Sequence, residues 1–82
     1  MKLHLDEDGM GEIEVELPTE VADAIWDRLN TIATSKIFDG DPRTMDQRRA
    51  DIYAAIIFGI DITKGVPDFG KISLDDPRLG TR

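Results

Sequence analysis

The stretch GEIEVELPTEVADAIWDRLNTIA, residues 11–33, changes period in its middle and so decides the fold. Up to Leu17, apolar Ile13, Val15 and Leu17 alternate with Glu12, Glu14 and Glu16, the period-two pattern of a strand with one apolar face. Pro18 and Thr19 then open a helix in which Val21, Ile25, Leu29 and Ile32 form a stripe, with Glu20 and Asp23 complementing its positive end. A strand that hands over to an amphipathic helix predicts an α+β domain.

On the N-terminal side, Met1, Leu3 and Leu5 alternate with Lys2, His4 and Asp6, and the turn-rich Asp8-Gly9-Met10-Gly11 joins this run to the next. The two runs make a hairpin with one apolar face. Setting Leu5 opposite Ile13 places Leu3 by Val15 and Met1 by Leu17, and pairs His4 with Glu14 and Lys2 with Glu16 on the other face. A slip by one residue would turn the apolar set to solvent.

On the C-terminal side, the first helix is expected to stop near Lys36. Trp26 lies on a flank of its stripe with Ala22, Leu29 and Ala33, a position that suits core or interface use. Ile37 and Phe38 follow, then Asp39-Gly40-Asp41-Pro42-Arg43, a turn-forming loop in which Pro42 keeps Asp41 out of helical geometry. Thr44-Met45-Asp46-Gln47 fits a capping box, in which the Thr44 hydroxyl accepts from the N–H of Gln47 and the Gln47 side chain returns to the N–H of Thr44. A second helix is therefore expected from Met45 to Phe58, with Gly59 supplying a left-handed residue after it and Ile60 the apolar contact that follows. Asp46 with Arg49, and Arg48 with Asp51, are i,i+3 neighbours on that helix.

The final half of the second helix is apolar on every side. Ile52 to Phe58 wrap the circumference, whereas a helix lying on a small domain needs a stripe only about 100° wide. The hairpin and first helix can bury one face; a second copy of the chain is the simplest cover for the rest, with Tyr53, Ile57 and Phe58 at the interface. From Asp61 onward, Gly65, Pro67, Gly70, Pro77 and Gly80 interrupt any period. The expected organisation is one ββαα domain over residues 1–60 and an irregular tail over 61–82, which either docks through Phe69 and Ile72 to Leu74 or orders on a partner.

The segment DPRTMDQRRAD, residues 41–51, adds a resemblance. With Gly9-Met10, the Leu17-Pro18 junction, the first helix and the apolar run after Asp51, it resembles a domain of unknown function common in actinobacteria, whose signature reads Asp-Pro-Arg-Thr, two residues, then Gln-Arg-Arg-Ala-Asp. The likeness covers about residues 8–58. It implies the fold but no activity. In that family the domain usually precedes an HNH nuclease; only 31 residues follow Asp51 here, with no His or Cys among them, so the nuclease is expected to be absent and no catalytic residue carries over.

Composition narrows the classes. An 82-residue chain without cysteine has room for one domain with a small core and no disulfide staple, a size at which a partner chain is a common source of stability. The lack of cysteine fits a reducing cytoplasm, the charged N-terminus does not read as a signal peptide, and Ile52 to Phe58 is far too short to span a membrane. Formal net charge is −7, which disfavours long-range attraction to nucleic acid or anionic lipid.

Chemistry-bearing constellations are lacking. His4 is the single histidine, so no metal set and no cofactor is expected. Counting a calcium loop from Asp6 puts Met10 and Leu17 where oxygen ligands are required. Ser35 and Ser73 have no histidine partner, and DGMG reads as a hairpin turn, not a phosphate loop. An enzyme is not expected.

Two functions remain. The first is a small, acidic, non-catalytic interaction or regulatory protein, dimeric, resembling the nuclease-associated domain cut free; a phage or mobile-element origin would suit so compact a chain. Its partner surface would be an apolar patch rimmed by Asp41, Arg43, Arg48 and Arg49. The alternative is a dimeric DNA-binding regulator, since a strand followed by two helices resembles the ribbon-helix-helix repressors. Glu12, Glu14 and Glu16 on the face that would meet phosphate argue against it.

Overall fold

The computed structural model describes residues 1–72 and 75–79. Its elements are β1 (Lys2–Leu5), β2 (Gly11–Glu14), α1 (Thr19–Ala33) and α2 (Met45–Ile57), with 3-10 turns at Lys36–Phe38, Ile62–Lys64 and Pro77–Leu79. The fold is α+β: an antiparallel hairpin, two helices packed on each other, and an irregular tail.

The hairpin forms with its faces as the alternation requires, but in a register two residues tighter than expected. Lys2 lies opposite Glu14, Leu3 opposite Ile13, His4 opposite Glu12 and Leu5 opposite Gly11. The turn chemistry sets this. Asp8 Oδ1 accepts from the Met10 N–H at 3.0 Å, the Asp6 N–H donates to the Met10 carbonyl at 2.8 Å, and Gly9 takes φ 89°, a conformation that costs glycine little. The loop thus closes at Leu5 and Gly11, where a Cβ on Gly11 would come within 3.1 Å of the Leu5 side chain. A shift of two preserves the faces, so the apolar set stays together. His4 consequently faces Glu12 rather than Glu14, and its Nε2 reaches Asp6 Oδ1 at 3.0 Å.

Helix α1 ends at Ala33, short of the expected Lys36. The hydroxyls of Thr34 and Ser35 donate to the carbonyls of Asn30 and Ile32 at 2.9 and 2.6 Å, beside the backbone N–H groups of the same two residues at 3.1 and 3.0 Å, and together these close the last turn. The chain then makes the short turn that buries Phe38.

Helix α2 carries the capping box. The Gln47 N–H donates to Thr44 Oγ1 at 3.2 Å and the Thr44 N–H to Gln47 Oε1 at 2.9 Å. Replacing Thr44 with alanine removes both the acceptor and the reciprocal geometry, so stability should fall by about 1 kcal/mol. An unchanged urea midpoint for Thr44→Ala would contradict the cap. At the other end Gly59 has φ 71°, the Ile60 N–H donates to the Ala55 carbonyl, and the Gly59 N–H donates to that of Ile56, which is the Schellman closure.

The core is small. Ala33, Phe38, Ile52, Ala55 and Val66 form its buried centre, with Leu29, Ile32, Met45, Ile60, Ile62 and Phe69 against it. Every strand residue is exposed, so the hairpin contributes nothing fully buried. The tail docks: Val66, Pro67 and Leu79 are buried, and the Phe69 ring lies 6.1 Å from that of Phe58, centroid to centroid. Leu74 lies outside the described residues.

Candidate interaction surface

The charged segment 41–51 folds inward. Arg43 uses all five of its N–H donors within the chain: Nε on both Asp41 carboxylate oxygens, Nη2 on Asp41 Oδ2 and the Val66 carbonyl, and Nη1 on Asp51 Oδ2 and the Pro67 carbonyl, at 2.6 to 3.1 Å. Its side chain is 11 % exposed and that of Asp51 10 %, so this is a nearly buried ion pair with its hydrogen bonds satisfied. The second oxygen of Asp51 accepts from the Phe69 N–H at 3.3 Å. One guanidinium thereby ties the loop, α2 and the tail together.

Arg48 does not form the expected i,i+3 pair with Asp51. Asp51 is engaged by Arg43, and Arg48 donates instead to the carbonyls of Ala33 and Asp41 at 2.9 and 2.8 Å, closing the end of α1. The guanidinium carbons of Arg43 and Arg48 lie 4.9 and 5.1 Å from the centre of the Phe38 ring. Arg49 does pair with Asp46, also donates to Asn30 Oδ1 at 2.9 Å, and lies over the Trp26 ring at 4.5 Å. Of the four residues expected at a rim, Asp41, Arg43 and Arg48 sit in this internal network and Arg49 borders the surface beside Trp26. Phe38, Asp51 and the carbonyls of Val66 and Pro67 complete the network. A carboxylate on the same face of α2 as Ile52 and Ala55 was the one signal of it in the sequence.

Hydrogen bonds from the Arg43 side chain and from its backbone N–H hold the Asp41 carboxyl down to about 2, and that same side-chain contact raises Arg43. Because the folded value lies below the free value of 3.8, the clasp stabilises fully above about pH 4 and its contribution disappears as pH falls toward 2. A carboxyl NMR titration should give Asp41 a midpoint near 2. A midpoint near 3.8 would show the clasp to be open in solution.

The outer surface is the reverse of this polar interior. Leu3, Leu5, Ile13, Val15 and Leu17 of the hairpin segment, Val21, Ile25 and Trp26 of α1, and Tyr53, Ile56, Ile57 and Phe58 at the end of α2 are all exposed. Between hairpin and helices lies an open groove of about 560 Å³ whose walls include Ile13, Val15, Leu17, Ala22, Trp26 and Tyr53. A neighbouring depression is formed by Ile25, Leu29, Tyr53, Ile56 and Ile57 with Arg28. Of the three residues expected at an interface, Tyr53 is 38 %, Ile57 66 % and Phe58 47 % exposed, and Phe58 is partly covered by Phe69 of the tail. The polar positions of the hairpin bring Glu12 and Glu14 beside His4 and Lys2. Among the described residues no cluster of three or more potential metal-ligating side chains occurs, and no helix is long and apolar enough to cross a membrane.

A hairpin ahead of two helices, stitched by an arginine with two aspartates and faced with uncovered apolar side chains, defines a small α+β domain. The family model of a domain of unknown function (DUF222) matches residues 2–71, most of the chain, and the protein belongs to that family. The match runs past α2 to include the carbonyls that Arg43 holds. Comparisons with curated proteins and with solved structures gave no match.

Proposed function

We propose that this chain is a non-catalytic protein–protein interaction protein that acts as a homodimer through its uncovered apolar face, with Tyr53, Ile57 and Phe58 in the contact. The observation that carries this reading is the extent of that face. Monomers seldom expose a contiguous apolar patch beyond about 300–600 Å², and here large apolar side chains of the hairpin segment, α1 and the end of α2 are all exposed, from Leu3 and Ile13 through Val21 and Trp26 to Ile56 and Ile57. A two-stranded hairpin with no buried residue is also marginal by itself, and joining hairpins across a two-fold axis would support it.

The charged residues serve the surface from beneath. Asp41, Arg43 and Arg48 fix α2 against the loop and tail, while Arg49 stiffens Trp26 at the edge. A regulatory role follows the same logic: a chain presenting this face can compete with other proteins that carry the same domain for a shared apolar contact. The net charge of −7 keeps such a protein soluble and away from nucleic acid.

If folding and association are linked, the thermal midpoint must rise with concentration. A clear rise between about 1 and about 100 µM chain is the expected result. A midpoint independent of concentration would contradict the homodimer.

A further inference from the structure

We infer that β1 pairs antiparallel with β1 of a second copy across a two-fold axis at His4, so that the two hairpins become one continuous sheet. This rests on the homodimer reading and specifies which strands join and in what register.

The backbone leaves an open edge there. The Asp6 N–H donates to the Met10 carbonyl, and in the register that sets Lys2 by Glu14 and His4 by Glu12 this makes Lys2, His4 and Asp6 the residues whose N–H and C=O groups turn toward β2. Leu3 and Leu5 therefore turn theirs outward, and among the described residues no further strand meets them. Such a row of backbone groups is a template for another strand. Every residue of β1 is exposed, so nothing in the fold has to move for that strand to reach it.

Charge selects the partner strand. A two-fold contact is self-complementary, so β1 must meet β1 or β2 must meet β2, whereas β1 on the β2 of the next copy is head-to-tail and does not close as a pair. Keeping both apolar faces on one side of the joined sheet also requires polar positions to lie opposite polar ones. For β2 this sets glutamates among Glu12, Glu14 and Glu16 against one another, and like charges directly opposite repel. For β1 the register centred on His4 sets Lys2 opposite Asp6 of the second copy on both sides of the axis, and Leu3 opposite Leu5. Each Lys2 then lies between Glu14 of its own hairpin and that Asp6. Centring on Leu3 would bring Lys2 against His4 instead, and centring on Leu5 would run Leu3 against the turn at Glu7. On the axis His4 faces its counterpart, each imidazole held by its own Asp6 at 3.0 Å.

The absence of cysteine allows a direct test. Residues opposite each other at a non-hydrogen-bonded site have Cα atoms about 4.5 Å apart, within reach of a disulfide. His4→Cys, Lys2→Cys and Glu14→Cys, all at exposed positions, are each equilibrated in a glutathione redox buffer, where only a pair held in bonding geometry stays linked. The expected result is that His4→Cys links two chains severalfold more than Lys2→Cys or Glu14→Cys alone, and that Lys2→Cys mixed with Asp6→Cys links the two unlike chains. Links from Glu14→Cys equal to those from His4→Cys would place the contact on β2 and overturn the proposal. An absence of links from His4→Cys, or between Lys2→Cys and Asp6→Cys, in a protein that keeps the mass of two chains would overturn the strand pairing or its register and leave the homodimer standing. A single-chain mass for the unmodified protein would bring down both the pairing and the homodimer.

Discussion

Replacing Arg43 with methionine is expected to lower stability by about 3–5 kcal/mol, the cost of breaking a nearly buried ion pair by removing one partner. The loss is large because several groups are stranded together: the Asp51 carboxylate, 10 % exposed, and the carbonyls of Val66 and Pro67 would all lose a donor. A domain of this size has only about 5–15 kcal/mol to lose, so the variant should be largely unfolded near 37 °C. Arg43→Lys should rescue little, since an ammonium cannot match the planar five-donor fork. Asp41→Asn should be milder, because Asp41 is the more exposed partner. Urea denaturation of the three variants checks the order. An Arg43→Met midpoint equal to that of the parent would show that the network is incidental.

The second large effect concerns the surface. Ile57→Glu places a carboxylate at the most exposed apolar position of α2, where in a lone chain it would simply be solvated. In the proposed dimer it meets an apolar wall, and an unpaired charge there should cost on the order of 3 kcal/mol or more, a hundredfold or greater weakening of association. The variant should therefore run as a single chain or unfold, while Thr31→Glu, at an exposed position lining neither the groove nor the neighbouring depression, should not. Association unaffected by Ile57→Glu would remove that residue from the interface.

Much of the fold was legible because it is locally encoded. The period change at Leu17 to Thr19 marks strand and helix, and the cap at Thr44 and the closure at Gly59 fix both ends of α2 within a residue. Misreadings occurred where short-range geometry competes. The hairpin register turned on an Asp8 side chain and the φ of Gly9, and the end of α1 on two hydroxyls that join the backbone N–H groups in closing its last turn. The Arg43 network was hidden for a different reason. Its acceptors at Val66 and Pro67 are backbone carbonyls more than twenty residues away, and backbone acceptors leave no mark on residue type. The apolar character of α2 was plain in the sequence; that Ile52 and Ala55 would be buried, Phe58 partly covered by Phe69, and Tyr53 and Ile57 left exposed depended on where α1 and the tail came to lie.

The central claim is that the uncovered apolar face belongs to an interface between two copies. Its most direct test is the mass of the native protein by light scattering or sedimentation equilibrium at micromolar concentration. The account predicts twice the 9.2 kDa of one chain. A monodisperse, folded species with the mass of a single chain would contradict it.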